Sequence, residues 1–193
     1  MSILKKIIKR RSIREYTSKK IPKKVISEIL KAGIWGPSVL GIQTWKFEVI
    51  SNKEIIEKIC QSLTRRCKKS SIGVRILLKA AVENMLSSQV TIAVYNIKAI
   101  TALSKRMDRQ YLKFAKMAEI ASSAAAIQNM IIVADQLGLG TCWHDIPLIC
   151  EKSINKILQT NFELIAILTL GYPAEKGRRT PRRKTTKFIR HII

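Results

Sequence analysis

Near the start of this chain, guanidinium groups and a hydroxyl are crowded into one short block, Arg10-Arg11-Ser12-Ile13-Arg14. On an extended or loosely turned backbone, residues at i, i+2 and i+4 point the same way, so Arg10, Ser12 and Arg14 converge on one anion. Arginine suits phosphate because its planar fork makes bidentate, charge-assisted hydrogen bonds. In a chain this rich in Lys and Arg the block also reads as plain surface charge. A second basic cluster, Arg178-Arg179-Thr180-Pro181-Arg182-Arg183-Lys184, lies near the other end. It is either a solvated tail or the second half of a phosphate clamp.

Two further stretches carry groups suited to a flat ring. Gly138-Leu139-Gly140 is followed by Thr141-Cys142-Trp143-His144-Asp145. Glycines at a helix end, followed by this stretch, leave backbone N–H groups free to face a ring edge. Cys142 is a candidate nucleophile, although nothing nearby lowers its thiol pKa and a free Cys is ordinarily a small buried hydrophobe. His144 is a candidate proton donor if its imidazole is tuned near neutrality, and a structural histidine otherwise. The segment from Pro37-Ser38-Val39 to Gln43-Thr44-Trp45 is a polar loop ahead of a strand, where ligand contacts concentrate. Gln43 both donates and accepts, as recognition of a heterocycle edge requires. By itself this segment is equally a plain turn with Trp45 in the core.

The elements that must position these residues follow from periodicity. Ser2 to Lys9 predicts a short helix, with Ile3, Leu4, Ile7 and Ile8 on one face. A second helix starts at Ile21-Pro22, carries Val25, Ile26, Ile29 and Leu30 as its stripe, and is broken by Gly33 and Gly36-Pro37. Trp45 to Ile50 predicts a strand and Lys53 to Leu63 a helix. Arg65 to Lys79 interleaves cations with Ile72, Val74, Ile76, Leu77 and Leu78, as a basic amphipathic element or a mobile insertion would. Gln89 to Tyr95 predicts a strand. Tyr111 to Leu137 predicts a long helix, terminated by Gly138 and Gly140. Pro147 to Leu158 predicts a short helix, and Phe162 to Leu170 a strand buried on both faces. Helices around a few strands indicate an α+β domain.

The bulk composition sets the outer limits. At 193 residues, with 47% hydrophobic and 25% charged, the chain is expected to form one domain, residues 1–193, with a real core. A net charge of +23 is the outlier. It speaks to anionic partners and not to fold, and it is spread along the chain instead of gathered in one arm. The four cysteines form no C-x-x-C pair, and His144 and His191 lie far apart, so a structural zinc site is excluded from the reading. No signal-like stretch opens the chain, and the most apolar run, Ala121 to Ala134, is too short to span a bilayer. A soluble, cytoplasmic protein with no membrane association is the expectation. No strand–GxGxxG–helix unit argues for a Rossmann domain.

Taken in order, Arg-Arg-Ser-x-Arg, Pro-Ser-x-x-x-x-Gln-x-Trp, the Ala-rich helix with Gln128-Asn129-Met130, Gly-Leu-Gly-Thr-Cys-Trp, Leu170-Gly171-Tyr172-Pro173 and the late Arg-Arg-Lys resemble the FMN-dependent nitroreductase family. The resemblance covers nearly the whole chain. It implies an α+β sandwich with a central, mainly antiparallel sheet surrounded by helices. It also implies an intertwined homodimer with FMN at the interface. Arg10, Arg11, Ser12 and Arg14 would hold phosphate, ribityl chain and flavin edge, and Arg182 and Arg183 would complete the phosphate site, with Lys184 as the other contender there. Pro37, Ser38 and Val39 would come from the partner subunit, with Gln43 nearby. Gly140, Thr141, Cys142, Trp143, His144 and Asp145 would line the ring. The implied activity is ping-pong hydride transfer from NADH or NADPH through the flavin to a nitroaromatic, quinone or similar small acceptor, with the cofactor carrying the chemistry.

The chain departs from the family pattern at three places. Gly41 stands where many members carry Asn, Thr44 where many carry Pro, and His144-Asp145 where small residues are common. The competing readings are a divergent flavoenzyme of the same fold (dehalogenation, flavin cleavage or substrate oxidation) and, outside the fold, a basic nucleic-acid-binding protein. The last lacks interleaved aromatics and any recognisable DNA-binding module, so a nucleic-acid partner is not expected.

Overall fold

The computed structural model describes residues 2–104, 107–183, 188–190 and 192. Lys184 and His191 lie outside the described residues. The order is α1 (Ile3–Lys9), α2 (Lys23–Ile34), β1 (Trp45–Ile50), α3 (Lys53–Cys67), α4 (Ile72–Ser87), β2 (Val90–Asn96), α5 (Ala99–Leu103), α6 (Arg109–Gln136), β3 (Gly140–His144), α7 (Glu151–Leu158) and β4 (Glu163–Gly171). Short 3-10 turns at Val39–Gly41 and Ile146–Cys150 join them. The four strands form one antiparallel sheet, ordered β1-β2-β4-β3. This is the α+β architecture expected from the sequence.

Helices cover both faces of the sheet. On one side α2 and α6 pack Ile26, Ile29, Ile127 and Met130 against Ile92, Val94, Ala166 and Leu168. On the other, α3, α4 and α7 pack Ile56, Ile59, Leu63, Leu78, Met85 and Ile154 against Ala93, Tyr95, Leu164 and Ile167. Alternation along β2 sends successive side chains to opposite cores. In β4 the alternation slips between Leu164 and Ala166, where the register with β2 shifts at Val94/Tyr95. Each fully buried Ile or Leu contributes about 1.5–3 kcal/mol relative to exposure, so these two layers dominate the stability of the fold.

Local signals explain some of the helix ends. Asn52 caps α3 by accepting from the Glu54 amide, and Asp108 caps α6 by accepting from the Gln110 and Tyr111 amides. The sequence reading took Gly33 as a helix breaker, but α2 continues to Ile34. A Cβ at Gly33 would sit 2.9 Å from Met130 Cγ, so this glycine is what lets α2 approach α6. The basic stretch Arg65 to Lys79 is neither one element nor an insertion. It is the end of α3, a tight turn, and the start of α4. Residues Gly138 to Asp145 read from the sequence as a helix end followed by free backbone N–H groups. Gly138, with φ +77°, does end α6, but Gly140–His144 is a strand.

α6 is 28 residues long and apolar enough by length and composition to cross a membrane, unlike the shorter run isolated from the sequence. Its middle is nevertheless built into the core, and it buries a carboxylate. Glu119 is fully buried and accepts from the Ile100 and Thr101 amides, the Thr101 hydroxyl and Asn96 Nδ2, at 2.6–3.0 Å. It thereby anchors the first turn of α5 to the end of β2.

Apolar surface is left uncovered on α1 and on α6. α1 has no buried residue and exposes Ile3, Leu4, Ile7 and Ile8. The first half of α6 exposes Phe114, Met117 and Ile120, and Trp35 at the end of α2 is 77% exposed.

Candidate active site

β3 is an edge strand, and the segment after α1 runs along its outer side. Ser12 bridges Thr141, and the Ile13 amide donates to Thr141 O at 2.9 Å. Further on, Tyr16 bridges Pro173 and the Thr17 amide donates to Tyr172 O at 2.8 Å. Two glycines permit this contact. A Cβ at Gly140 would lie 2.6 Å from Ile13 Cβ, and one at Gly171 would lie 2.7 Å from the Tyr16 ring. The glycine after the helix terminator therefore makes room for the arginine-bearing segment of this same chain. Because Thr141 O faces outward, strand alternation turns the peptide groups of Trp143 outward too. Among the described residues no further strand pairs with that edge.

Two cavities flank this edge. The first, about 610 Å³, is lined by Arg10, Arg11, Ser12 and Arg14 from one side and Arg178, Arg179 and Arg182 from the other, with Gln128 of α6 and Ile7 and Ile8 of α1 between them. The second, about 470 Å³, is lined by Arg14, by Leu77, Ala80, Ala81 and Asn84 of α4, and by Cys142, Trp143, His144, Asp145, Ile146 and Ile149. Arg14 lines both. A cationic trough thus leads to a mixed apolar and polar chamber against the edge of β3.

The arginines are not equivalent. Arg11 turns Nη1 back onto the carbonyls of Ile8, Lys9 and Arg10 at 2.7–2.8 Å, where it caps the end of α1 with positive charge. Among the described residues, Arg10, Arg14 and Arg182 carry no such bond. The Arg14 amide donates to Glu175 Oε1 at 2.6 Å, which fixes the backbone at the junction of the cavities.

Beneath the second cavity lies a buried polar chain. The Tyr16 hydroxyl donates to Ile13 O at 2.6 Å, and Thr169 Oγ1 lies 2.8 Å from Tyr16 Oη and 3.3 Å from His144 Nε2. With the tyrosine proton committed to Ile13 O, the threonine proton goes to Tyr16 Oη, since its alternative at Cys142 O is a longer 3.3 Å. Thr169 then accepts from His144, which places the imidazole proton on Nε2. Burial and the neighbouring Arg14 charge lower the His144 pKa to about 4. The imidazole is therefore neutral at neutral pH, below the near-neutral tuning considered from the sequence. Burial raises the Cys142 thiol despite the opposing charge of Arg14, so the thiolate is disfavoured. Trp143 is pinned by its indole N–H, which donates to Asp145 Oδ1.

Of the residues singled out in the sequence, Arg10, Arg11, Ser12, Arg14 and Arg182 come together in the trough, and Cys142 to Asp145 in the chamber. Gly140 and Thr141 seat the N-terminal segment. Arg183 lines neither cavity. Pro37, Ser38, Val39 and Gln43 line neither as well. Their loop packs on α6, where the Val39 amide donates to Ser122 Oγ at 3.0 Å, and the Gln43 amide donates to Ser38 Oγ at 3.1 Å. Gln128 and Leu77 are visible in the sequence without a site role, and Asn84, Ala81 and Ile149 are further lining residues that the sequence reading does not name. Gln128 and Asn84 carried a signal, as polar residues within otherwise apolar helical stretches.

Comparison with known proteins places this geometry. The nitroreductase family model matches residues 7–172. A protein of Methanothermobacter thermautotrophicus, provisionally named NADH dehydrogenase/NAD(P)H nitroreductase, is 25% identical over 181 residues, covering 91% of this chain and 79% of its own. A BluB-like flavoprotein of Clostridium difficile superposes with a TM-score of 0.80 at 22% identity, covering 100% of both chains. A provisionally named nitroreductase of Desulfovibrio desulfuricans, solved in complex with FMN, superposes with a TM-score of 0.74 at 23% identity, covering 100% of this chain and 98% of its own.

Proposed function

We propose that the chain, which belongs to the nitroreductase family, is an FMN-dependent oxidoreductase that passes reducing equivalents from NADH or NADPH to a small nitroaromatic, quinone or related acceptor. The observation that carries this reading is the pairing of an arginine trough with a chamber on the open edge of β3, joined at Arg14. The donor set fits FMN. A phosphate dianion asks for forked cations and a hydroxyl, which Arg10, Ser12 and Arg182 supply. A flat ring asks for an unpaired strand edge and an apolar wall, which Trp143, Leu77 and Ile149 supply. A flavin held by these residues would supply the hydride and two-electron chemistry between a reduced nicotinamide and the acceptor.

The chain's own residues bind and orient. Arg14, at the junction of trough and chamber, supplies fixed positive charge that favours negative charge on a reduced ring. Ala80 and Ala81 keep the α4 wall low, and Ile146 and Ile149 add apolar surface to the chamber. His144 donates its Nε2 proton inward to Thr169 and stays neutral, so it acts as a positioning residue. Cys142 fills space. This arrangement needs no side-chain nucleophile.

The working unit is a homodimer in this reading, each subunit acting as one domain of residues 1–193. The loop carrying Pro37, Ser38, Val39 and Gln43 lines neither the trough nor the chamber, and the family resemblance implies that a second copy supplies it. The bare faces of α1 and α6, with Trp35, are the surfaces that such a partner covers. The four cysteines are unpaired, in keeping with a reducing cytoplasmic setting.

The test is steady-state kinetics with NADPH or NADH against a quinone. Parallel double-reciprocal lines are expected, because donor and acceptor use one chamber in turn. Intersecting lines would contradict this scheme. The rate is also expected to show no ionisation of His144 between pH 6 and 8, because the imidazole titrates near 4. Loss of such an ionisation on His144→Gln would show the histidine to be charged in the working range. Stability behaves differently. The lowered folded pKa means that the unfolded chain binds the proton more tightly, so stability falls as pH drops from about 6.5 toward about 4.

A further inference from the structure

A third cavity adjoins the chamber. It is about 520 Å³ and is bounded by Arg65 and Arg66 at the end of α3, by Lys69 of the following turn, by Lys152 of α7, and by Leu148 and Ile149. Ile149 lines this cavity and the chamber alike, so the 3-10 turn Ile146–Cys150 is the wall between them. Four cations, Arg65, Arg66, Lys69 and Lys152, face a single carboxylate on this wall. Among the described residues the side-chain ion pairs are Lys46–Glu48 and Lys98–Glu163, both elsewhere. The one carboxylate on the cavity wall, Glu151, accepts from the Leu164 amide at 2.8 Å. Leu148 and Ile149 are half-exposed between the cations and the chamber, and form an apolar sill.

We propose that the cavity bounded by Arg65, Arg66, Lys69 and Lys152 is an anion subsite, which takes the phosphate or carboxylate arm of the molecule whose ring occupies the chamber. This rests on the reading of the chamber as the redox site. Guanidinium and ammonium groups around a concave surface, next to an apolar sill, select a ligand with a flat ring at one end and negative charge at the other. The 2′-phosphate of NADPH and the carboxylate of an acidic aromatic acceptor share that chemistry. The general field of a chain with net charge +23 does not make the same selection, because it acts on any anion from any side.

The experiment compares holoenzyme with the variant Arg65→Gln/Arg66→Gln/Lys69→Gln and with a control, Lys23→Gln/Lys24→Gln/Lys31→Gln, which removes equal charge from α2. kcat/KM is measured for NADPH and NADH, and for 4-nitrobenzoate and nitrobenzene. Binding of 2′,5′-ADP and of 4-nitrobenzoate is measured separately by calorimetry, which needs no turnover. The subsite variant is expected to lose ~10-fold or more, through KM, for an anionic substrate, with nitrobenzene and the control variant unchanged. Loss confined to NADPH and 2′,5′-ADP identifies the donor's phosphate, and loss confined to 4-nitrobenzoate identifies the acceptor's carboxylate. Equal values for the subsite variant and wild type, an equal loss for nitrobenzene, or an equal loss in the control would overturn the proposal. A wild-type protein that takes up no flavin defeats the redox reading instead, and the calorimetry then decides the subsite alone.

Discussion

Arg10→Ala combined with Arg182→Ala is expected to weaken FMN binding by ~10²–10⁴-fold. In the proposed site each substitution would remove a charge-assisted contact of about 1.5–3 kcal/mol, and both residues line the trough. Fluorescence titration of the apoprotein with FMN reads the affinity. Far-UV circular dichroism is expected to be unchanged, because neither guanidinium holds a carbonyl or carboxylate among the described residues. Arg11→Ala makes a useful contrast. Its Nη1 is committed to three carbonyls at the end of α1, so it is expected to loosen that helix more than it lowers FMN affinity. If Arg11→Ala cost more affinity than the pair, the phosphate site would have to be redrawn around it.

The second large effect lies away from the site. Glu119→Ala is expected to destabilise the fold by on the order of 3 kcal/mol or more, because several buried donors lose their acceptor together. Chemical denaturation with tryptophan fluorescence reads this directly. Burial disfavours the Glu119 carboxylate, but the hydrogen bonds from Thr101, Asn96 and Ile100 outweigh it and hold its pKa below the ordinary value. A depressed folded pKa stabilises the native state above the unfolded pKa, and that contribution is lost as pH falls through the folded value. Wild type is therefore expected to lose an acid-sensitive increment of stability that Glu119→Ala does not have. Equal acid sensitivity in the two proteins would remove Glu119 from the account.

Three of the four strands were legible because their side chains alternate or run apolar between breaks: Trp45 to Ile50, Val90 to Asn96 and Glu163 to Gly171. β3 was not. Gly140-Thr141-Cys142 has no such pattern, and the strand exists because β4 on one side and Ile13 on the other supply its partners from far along the chain. α5 was missed for a similar reason. Its five residues are too few to signal a helix, and its first turn is held by Glu119 from another element. The turn between α3 and α4, Lys68 to Ser71, lacks Gly and Pro, so one hairpin read as a single ambiguous segment.

At the site, residue type was informative and environment was not. The arginine block and the stretch Cys142 to Asp145 were visible as chemistry. That Arg11 would turn back onto α1, that Gly140 would clear a path for Ile13, and that burial would hold His144 neutral depend on packing. Arg183 separated from Arg182 for the same reason. The loop from Pro37 to Gln43 lines neither the trough nor the chamber, and nothing in its sequence shows that it packs on Ser122 of α6 instead.

The most direct test of the account is the absorbance spectrum of the purified protein after incubation with FMN and desalting, recorded before and after anaerobic addition of NADH or NADPH. The protein is expected to retain flavin bands near ~370 and ~450 nm that bleach with a reduced nicotinamide and recover with a quinone or nitroaromatic. A protein that emerges colourless, or one whose flavin neither nicotinamide reduces, would contradict the proposed function.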